Sequence, residues 1–356
     1  MKPISTIVPK GALGALFLLL LSMTCRAGCV DPTQLKGVNL AGAEFNAGAL
    51  PGRVNFDYTY PARTDLEYFH SAGMNVIRLP FLWERLQPRL DQALDPGELA
   101  QIRQVGSWAS ELGLCVILDV HNYGEYRGQP IGSSSVPVSS FADLWVRIHK
   151  EFPQPDLYAY GLMNEPAALA VKAWTPIAQS AVLAIRAAGS RNLLLVGTGR
   201  WSGAHELLSE LDGTTADKEF SGFQDPLNRT TIELHQYADS DYSGRGRDCM
   251  DPARLRQILD RASAWSRKSG RKVFLGEFGV SVDPPCLNAL EEALKVMQEG
   301  AVWTGWTYWS AGRWWGDYPY SVQPTPNGDA AQFTILRRYA RRPLAPTGLK
   351  IDPPGH

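Results

Sequence analysis

Net charge is almost absent from this chain: 35 Lys and Arg stand against 36 Asp and Glu, a formal charge of −1 over 356 residues. Nucleic acid and anionic membrane surfaces need concentrated basic surface, so neither is an expected partner. The five cysteines form no C-x-x-C or C-x-x-H spacing, which removes the usual frame of a structural zinc site. No G-x-S-x-G supplies a serine nucleophile. Gly197, Gly199 and Gly203 approach a dinucleotide fingerprint, but the spacing is one residue too long and Trp201 would crowd a pyrophosphate. No apolar run reaches the roughly 20 residues of a membrane helix. Linker and low-complexity tracts are missing as well, which leaves no sign of a second domain.

What is present is a large core. Apolar residues make up 44% of the chain and charged residues 20%, a balance that excludes disorder. Eleven Trp and 33 Gly imply used aromatic surface and many tight turns. Lys2 and Lys10 precede an apolar run from Gly11 to Leu21, followed by Cys25-Arg26-Ala27-Gly28. This is the pattern of a secretory signal peptide over residues 1–28, cut after Ala27 or Gly28, so the mature chain 29–356 is expected outside the cell. Cys29 offers a lipid anchor as an alternative, although Arg26 stands where a lipobox wants Leu. Export means an oxidising compartment. Cys25 leaves with the leader, and Cys249 and Cys286, in polar Pro/Gly-rich loops, are candidates to pair. Cys115 opens a strongly apolar strand and reads as a buried free thiol.

Short runs rich in Val, Ile, Leu and aromatics recur at Leu35–Gly42, Asn75–Phe81, Cys115–Tyr123, Leu157–Pro166, Asn192–Thr198, Thr231–Asp239, Lys272–Val280 and Trp303–Ser310. Near-continuous apolar strands belong to a parallel sheet buried on both faces. Helical patterns fall between them. Arg63–Ala72, Pro96–Leu112 and Pro252–Ser269 each stop at a Gly, and the last helix spans Ala330–Arg341. Eight strand–helix units predict a single α/β domain, a (β/α)8 TIM barrel, ending in a Pro-rich tail from Pro343 to His356.

In such a barrel the active site forms at the strand C-termini. There the sequence places Arg78, His121, Asn122, Asn164, Glu165, His235, Tyr237, Glu277 and Trp309. Each residue alone has a bland explanation. Polar groups ending six of eight apolar strands on one rim do not, because buried polar groups are costly unless they pair. Glu165 and Glu277 end the fourth and seventh strands, and paired carboxyls across a cleft are what glycosidic cleavage uses. Apolar surroundings would keep Glu165 protonated as acid/base, and Arg78 would hold Glu277 ionised as nucleophile. Trp201, Trp309, Trp314, Trp315, Tyr318 and Tyr320 fall at or beyond strand ends, where pyranose faces could stack. Trp108, Trp145, Trp174 and Trp265 lie in helical stretches and read as packing. Glu125, Asp239 and Asp241 read as solvated loop charge.

The ordered set Arg78, His121-Asn122, Asn164-Glu165-Pro166, His235-Gln236-Tyr237, Glu277, Trp309 resembles glycoside hydrolase family 5, the retaining clan A barrels, and is most similar to its secreted endo-β-1,4-glucanases. The resemblance runs from Gly37-Val38-Asn39 to Trp309 and includes Gly73 to Pro80, Trp83 to Pro88, and His235 to Asp241. It implies Glu165 as acid/base and Glu277 as nucleophile, with Arg78, His121, Asn164, His235 and Tyr237 in support. It also implies Trp201 and Trp309 as substrate contacts, to which Asn122, Trp314 and Trp315 are added from their positions. The implied partner is a neutral β-glucan, cut by a monomer without cofactor. Endo-β-1,4-mannanase or xyloglucanase activity are alternatives within the family. Asp119-Val120-His121 could be read as metal ligands, but the first strand offers Val38-Asn39-Leu40 rather than paired His, so no metal is expected. A non-catalytic polysaccharide-binding barrel would keep the aromatics while losing a carboxylate, and both glutamates are present.

Overall fold

In the computed structural model, residues 28–29, 34–299 and 301–341 are described; the expected leader up to Ala27 and the Pro-rich tail lie outside them. Eight parallel strands close a barrel in which each neighbours the next and the last returns to the first. They are β1 (Leu35–Leu40), β2 (Val76–Phe81), β3 (Cys115–Val120), β4 (Tyr158–Gly161), β5 (Leu194–Gly197), β6 (Thr230–Tyr237), β7 (Val273–Gly279) and β8 (Trp303–Ala311). Nearly every strand residue is buried, as a sheet packed on both faces requires. A helix follows each strand: α1 (Arg63–Ser71), α2 (Pro96–Leu112), α3 (Val138–Glu151), α4 (Val171–Ala187), α5 (Ala216–Phe220), α6 (Pro252–Ser269), α7 (Pro284–Glu299) and α8 (Ala331–Ala340). Among the described residues no helix is long and apolar enough to cross a membrane.

Local chemistry fixes the helix ends. Asp95 and Asp251 accept backbone N–H groups in the first turns of α2 and α6, each beside a Pro at the first helical position. Gly113 and Gly270 end these helices at φ 69° and 72°, a left-handed conformation that a side chain resists. Trp145, Trp174 and Trp265 pack inward from α3, α4 and α6, and their indole N–H groups reach Leu162 O, Gly197 O and Asp217.

Six of the eight strands stop short of their expected ends, whereas β2 ends at Phe81 as expected and β8 runs one residue further, to Ala311. β3 finishes at Val120 rather than Tyr123, and β4 at Gly161 rather than Pro166. The reason at β4 is conformational. Glu165 has φ 38°, which no extended strand accommodates, and Pro166 lacks the ladder N–H. Three small elements carried no sequence signal: a one-turn helix at Trp83–Leu86, a hairpin pairing 125–126 with 129–130, and the five-residue α5. Pieces this short show no periodicity.

Two disulfides lie at opposite ends of the barrel. Cys249 and Cys286 are joined (Cα–Cα 5.3 Å), fastening the end of the loop after β6 to α7. Cys115 is not a free thiol: it bonds Cys29 (Cα–Cα 5.0 Å) across 86 residues, tying the start of the described chain to the start of β3. The apolar run around Cys115 signalled burial and concealed the partner. The bond also overturns the lipid-anchor alternative, because the Cys29 sulfur that would carry the lipid is already consumed. Closing a loop of this length removes about 4–5 kcal/mol of unfolded-chain entropy. The Cys29→Ser/Cys115→Ala variant is therefore expected to lose about 2–5 kcal/mol in urea unfolding. Its turnover at 25 °C should persist, since the bond lies at the end of the barrel away from the strand C-termini. An unchanged unfolding midpoint would contradict this.

Candidate active site

Arg78, on β2, is fully buried and touches five residues. Its Nη1 donates to Asn39 Oδ1 on β1 (2.9 Å) and to Glu277 Oε1 on β7 (3.0 Å). Its Nη2 donates to Asn164 Oδ1 beyond β4 (2.9 Å) and stands 3.1 Å from Asp119 Oδ1 on β3. Nε lies 3.0 Å from Glu233 Oε1 on β6. A buried cation persists only when it is paired and hydrogen-bonded, and here five strands or strand ends share the task.

The imidazoles extend this network. Asn164 accepts from Arg78 on its oxygen and donates its amide N–H to His121 Nε2 (3.1 Å), which places the His121 proton on Nδ1, facing Asp119 Oδ2 at 2.8 Å. Trp309 stacks on His121 at 5.5 Å. His235 presents Nδ1 to Glu165 Oε1 (2.8 Å) and Nε2 to Glu233 Oε1 (3.5 Å). Burial opposes a charge on His235, but Glu277, Glu165 and Glu233 overcome it and push its pKa up to about 10.

The two glutamates therefore meet different fields. Burial lifts Glu165 above the usual carboxylate range, and the His235 contact offsets this only in part. Burial would lift Glu277 too, but His235, Arg78 and a 2.6 Å bond from the Tyr237 hydroxyl hold it below that range. Oxygens of Glu165 and Glu277 and a nitrogen of His235 lie within 4.8 Å of one another. A trio this tight is a conceivable metal site. Its ligand atoms are already engaged: Arg78 and the Tyr237 hydroxyl hold the two oxygens of Glu277, and the two ring nitrogens of His235 face Glu165 and Glu233.

These groups floor a cleft of about 760 Å³, walled by Tyr123, Trp201, Trp309, Trp315 and Tyr318 among others. Trp201 is half exposed there. Four expectations need correction. Asn122 does not face the cleft: it is buried, accepting from the Trp83 N–H (2.7 Å) and donating to Glu84 Oε2 (2.6 Å), so it holds the one-turn helix after β2. Trp314 stands exposed outside the cleft, whereas its neighbour Trp315 lines it, stacked on Tyr318 at 4.5 Å. Tyr320 is fully buried behind the wall rather than on the rim. Asp239 is fully buried, not solvated.

Several cleft residues escaped the sequence reading. His205 and Tyr242 stack at 3.9 Å, with Glu206 and Arg245 alongside. They sit in loops with no strand-end register to mark them. Tyr123 directly follows the His121-Asn122 pair, and that adjacency was the available signal.

The family profile described as Cellulase (glycosyl hydrolase family 5) matches residues 32–312. Endoglucanase gh5-1 of Neurospora crassa is 32% identical over 308 residues, 85% of this chain and 76% of the relative. The crystal structure of the endo-beta-1,4-glucanase Xac0029 from Xanthomonas axonopodis pv. citri superposes with a TM-score of 0.85 at 42% identity, covering 88% of this chain and 100% of the other. That of XacCel5A in complex with cellopentaose gives 0.85 at 43%, covering 87% and 100%.

His235 keeps its proton in the folded protein to about pH 10, whereas an unfolded imidazole loses it near 6.5. The protonated ring thus stabilises the fold fully below pH 6.5, and that contribution disappears as pH rises toward 10. Urea unfolding between these limits is expected to show stability falling more steeply with pH in the wild type than in His235→Gln. Parallel curves would contradict the assignment.

Proposed function

The chain belongs to glycosyl hydrolase family 5, and from that premise we propose that it is a secreted, monomeric endo-β-1,4-glucanase that cuts with retention of configuration. The observation that carries the mechanism is the short carboxyl separation, with oxygens of Glu165 and Glu277 inside 4.8 Å. Retaining glycosidases keep their carboxyls about 5–5.5 Å apart, whereas inverting ones leave about 6.5–9.5 Å for a water.

The roles follow from the two fields. Glu277, ionised and aimed by Arg78 and Tyr237, attacks the anomeric carbon as the glycosidic C–O bond breaks. Glu165 passes its proton to the departing oxygen. A glycosyl ester on Glu277 results. Glu165, now a carboxylate, takes a proton from water, the water oxygen attacks the same carbon from the opposite side, and Glu277 is released. The ionised Glu277 beside the anomeric carbon favours the oxocarbenium character of the transition state. To Asn164, next to Glu165 in the chain, we assign the contact to the sugar 2-hydroxyl that strengthens as the ring flattens.

The polymer assignment is supported by the named relatives, one of them bound to cellopentaose, and by the aromatic walls Trp201, Trp309 and Trp315. Near-zero net charge suits a neutral polymer. Export is supported by the leader pattern of residues 1–28 and by two disulfides, which persist in oxidising compartments.

Glu165→Gln and Glu277→Gln are each expected to slow hydrolysis of carboxymethyl-cellulose by about a hundredfold or more while leaving the circular dichroism intact. Near-normal activity in either would sink the assignment. The first product seen by NMR should be the β-anomer; an α-anomer would mean inversion. Chelator should leave the rate unchanged, and loss of activity in EDTA would point to a metal mechanism instead. Faster turnover of glucomannan or xyloglucan than of cellulose-type polymer would redirect the substrate assignment while keeping the chemistry.

A further inference from the structure

Asp239, two residues past the end of β6, is the most heavily satisfied carboxylate in the loop that follows. Its Oδ2 accepts from the Ser243 hydroxyl (3.0 Å) and from the backbone N–H groups of Arg245 (3.0 Å) and Gly246 (2.9 Å), and its Oδ1 accepts from Gly244 N–H (3.2 Å). Those donors curl residues 240–248 around a buried anion. Two tyrosines clasp the same turn from outside: Tyr318 donates to Gly244 O (2.7 Å) and Tyr320 to Gly246 O (2.8 Å). The Cys249–Cys286 bond closes the loop onto α7.

The curl has a specific product. Gly244, at φ 72°, is pressed against the Tyr237 ring so closely that a Cβ there would stand 2.7 Å from ring carbon Cε1. A Cβ on Gly279 would lie at ordinary contact distance, 3.5 Å, from the same carbon. The ring is thus packed tightly against Gly244, and its hydroxyl ends 2.6 Å from Glu277 Oε2. Glycine is required at 244 twice over, by the left-handed backbone and by the close approach.

We propose that Asp239 is a positioning residue for the nucleophile: by folding the 240–248 loop it seats Gly244 on Tyr237 and so fixes the hydroxyl that donates to Glu277. The inference rests on the reading of Glu277 as the nucleophile. Its signature has a sign. The groups facing Glu277 are Arg78 from β2, His121 and Tyr123 just beyond β3, Glu165 beyond β4, His235 and Tyr237 from β6, and Tyr318 beyond β8, with Asp119 and Glu233 behind Arg78. The Tyr237 bond lowers the Glu277 pKa, so losing its geometry moves the acid limb of kcat/KM to higher pH. Losing the negative charge of Asp239 by electrostatics alone moves that limb the other way, toward lower pH.

The experiment compares the pH profiles of the wild type, Asp239→Asn, Gly244→Ala, Tyr237→Phe and the Asp239→Asn/Tyr237→Phe double variant on cellotetraose. Asp239→Asn keeps the shape but replaces one acceptor oxygen by an amide, and Gly244→Ala adds one methyl against the ring. Both are expected to raise the acid limb and to lower kcat roughly tenfold. Asp239→Asn should add little in the Tyr237→Phe background, because both act through one hydroxyl. An acid limb that stays in place or moves down, or a full Asp239→Asn effect without the Tyr237 hydroxyl, would overturn the proposal. If Asp239→Asn does not fold, Gly244→Ala alone decides by the same limb. A wild type inactive on β-glucans would instead defeat the functional reading, a result distinct from an unmoved limb in active variants.

Discussion

A single buried cation organises this molecule. The Arg78 guanidinium, without solvent, lies within about 3 Å of Asn39, Asp119, Asn164, Glu233 and Glu277. Removing one partner of such a group leaves a buried charge uncompensated, at a cost of order 3–5 kcal/mol. Replacing the whole set by hydrocarbon would be neutral or favourable for stability, so the network is explained by what it does to its neighbours. It pins the C-terminal ends of β1, β2, β3, β6 and β7 and the segment beyond β4 to a common point. In this barrel the closure of one end and the assembly of the site are the same set of bonds.

From that point the charge pattern divides the two glutamates. Glu277 takes one donor from Arg78 and one from Tyr237, which favours its ionised form. Glu165 lies off this axis, at a strained φ of 38°, with His235 as its partner, and burial governs it. His235 links the pair, holding a proton beside Glu165 while standing 3.7 Å from Glu277. Aromatic walls above this floor suit a flat, uncharged sugar. Asp239 adds a further tier, in which a buried carboxylate shapes a loop, the loop seats a ring, and the ring aims a hydroxyl.

Much of this was legible in the sequence. Near-continuous apolar runs such as Val76–Phe81 and Cys115–Val120, short and alternating with helical patterns, read as strands buried on both faces, and in a parallel barrel the polar residues ending them meet on one rim. What the sequence hid depends on which segments meet far apart along the chain. Cys29 carries no mark of its partner 86 residues away. Asn122 and His121 are adjacent, yet one turns toward the Trp83 helix and the other toward the cleft. Trp314 and Trp315 differ only in which way one loop residue faces. Asp239 looked solvated because its four donors belong to residues 243–246, whose curl no periodicity announces.

The central claim is that the field around Arg78 sets the two glutamates apart before any sugar binds. Glutamate side-chain ¹³C chemical shifts, followed from pH 3 to 9 in the free enzyme and assigned with the two single Gln variants, test it directly. The account predicts that Glu277 is already ionised where an ordinary glutamate is half-protonated, and that the carboxyl signal of Glu165 titrates well above that point. Two signals moving together through the ordinary carboxylate range, or Glu165 ionising first, would contradict it.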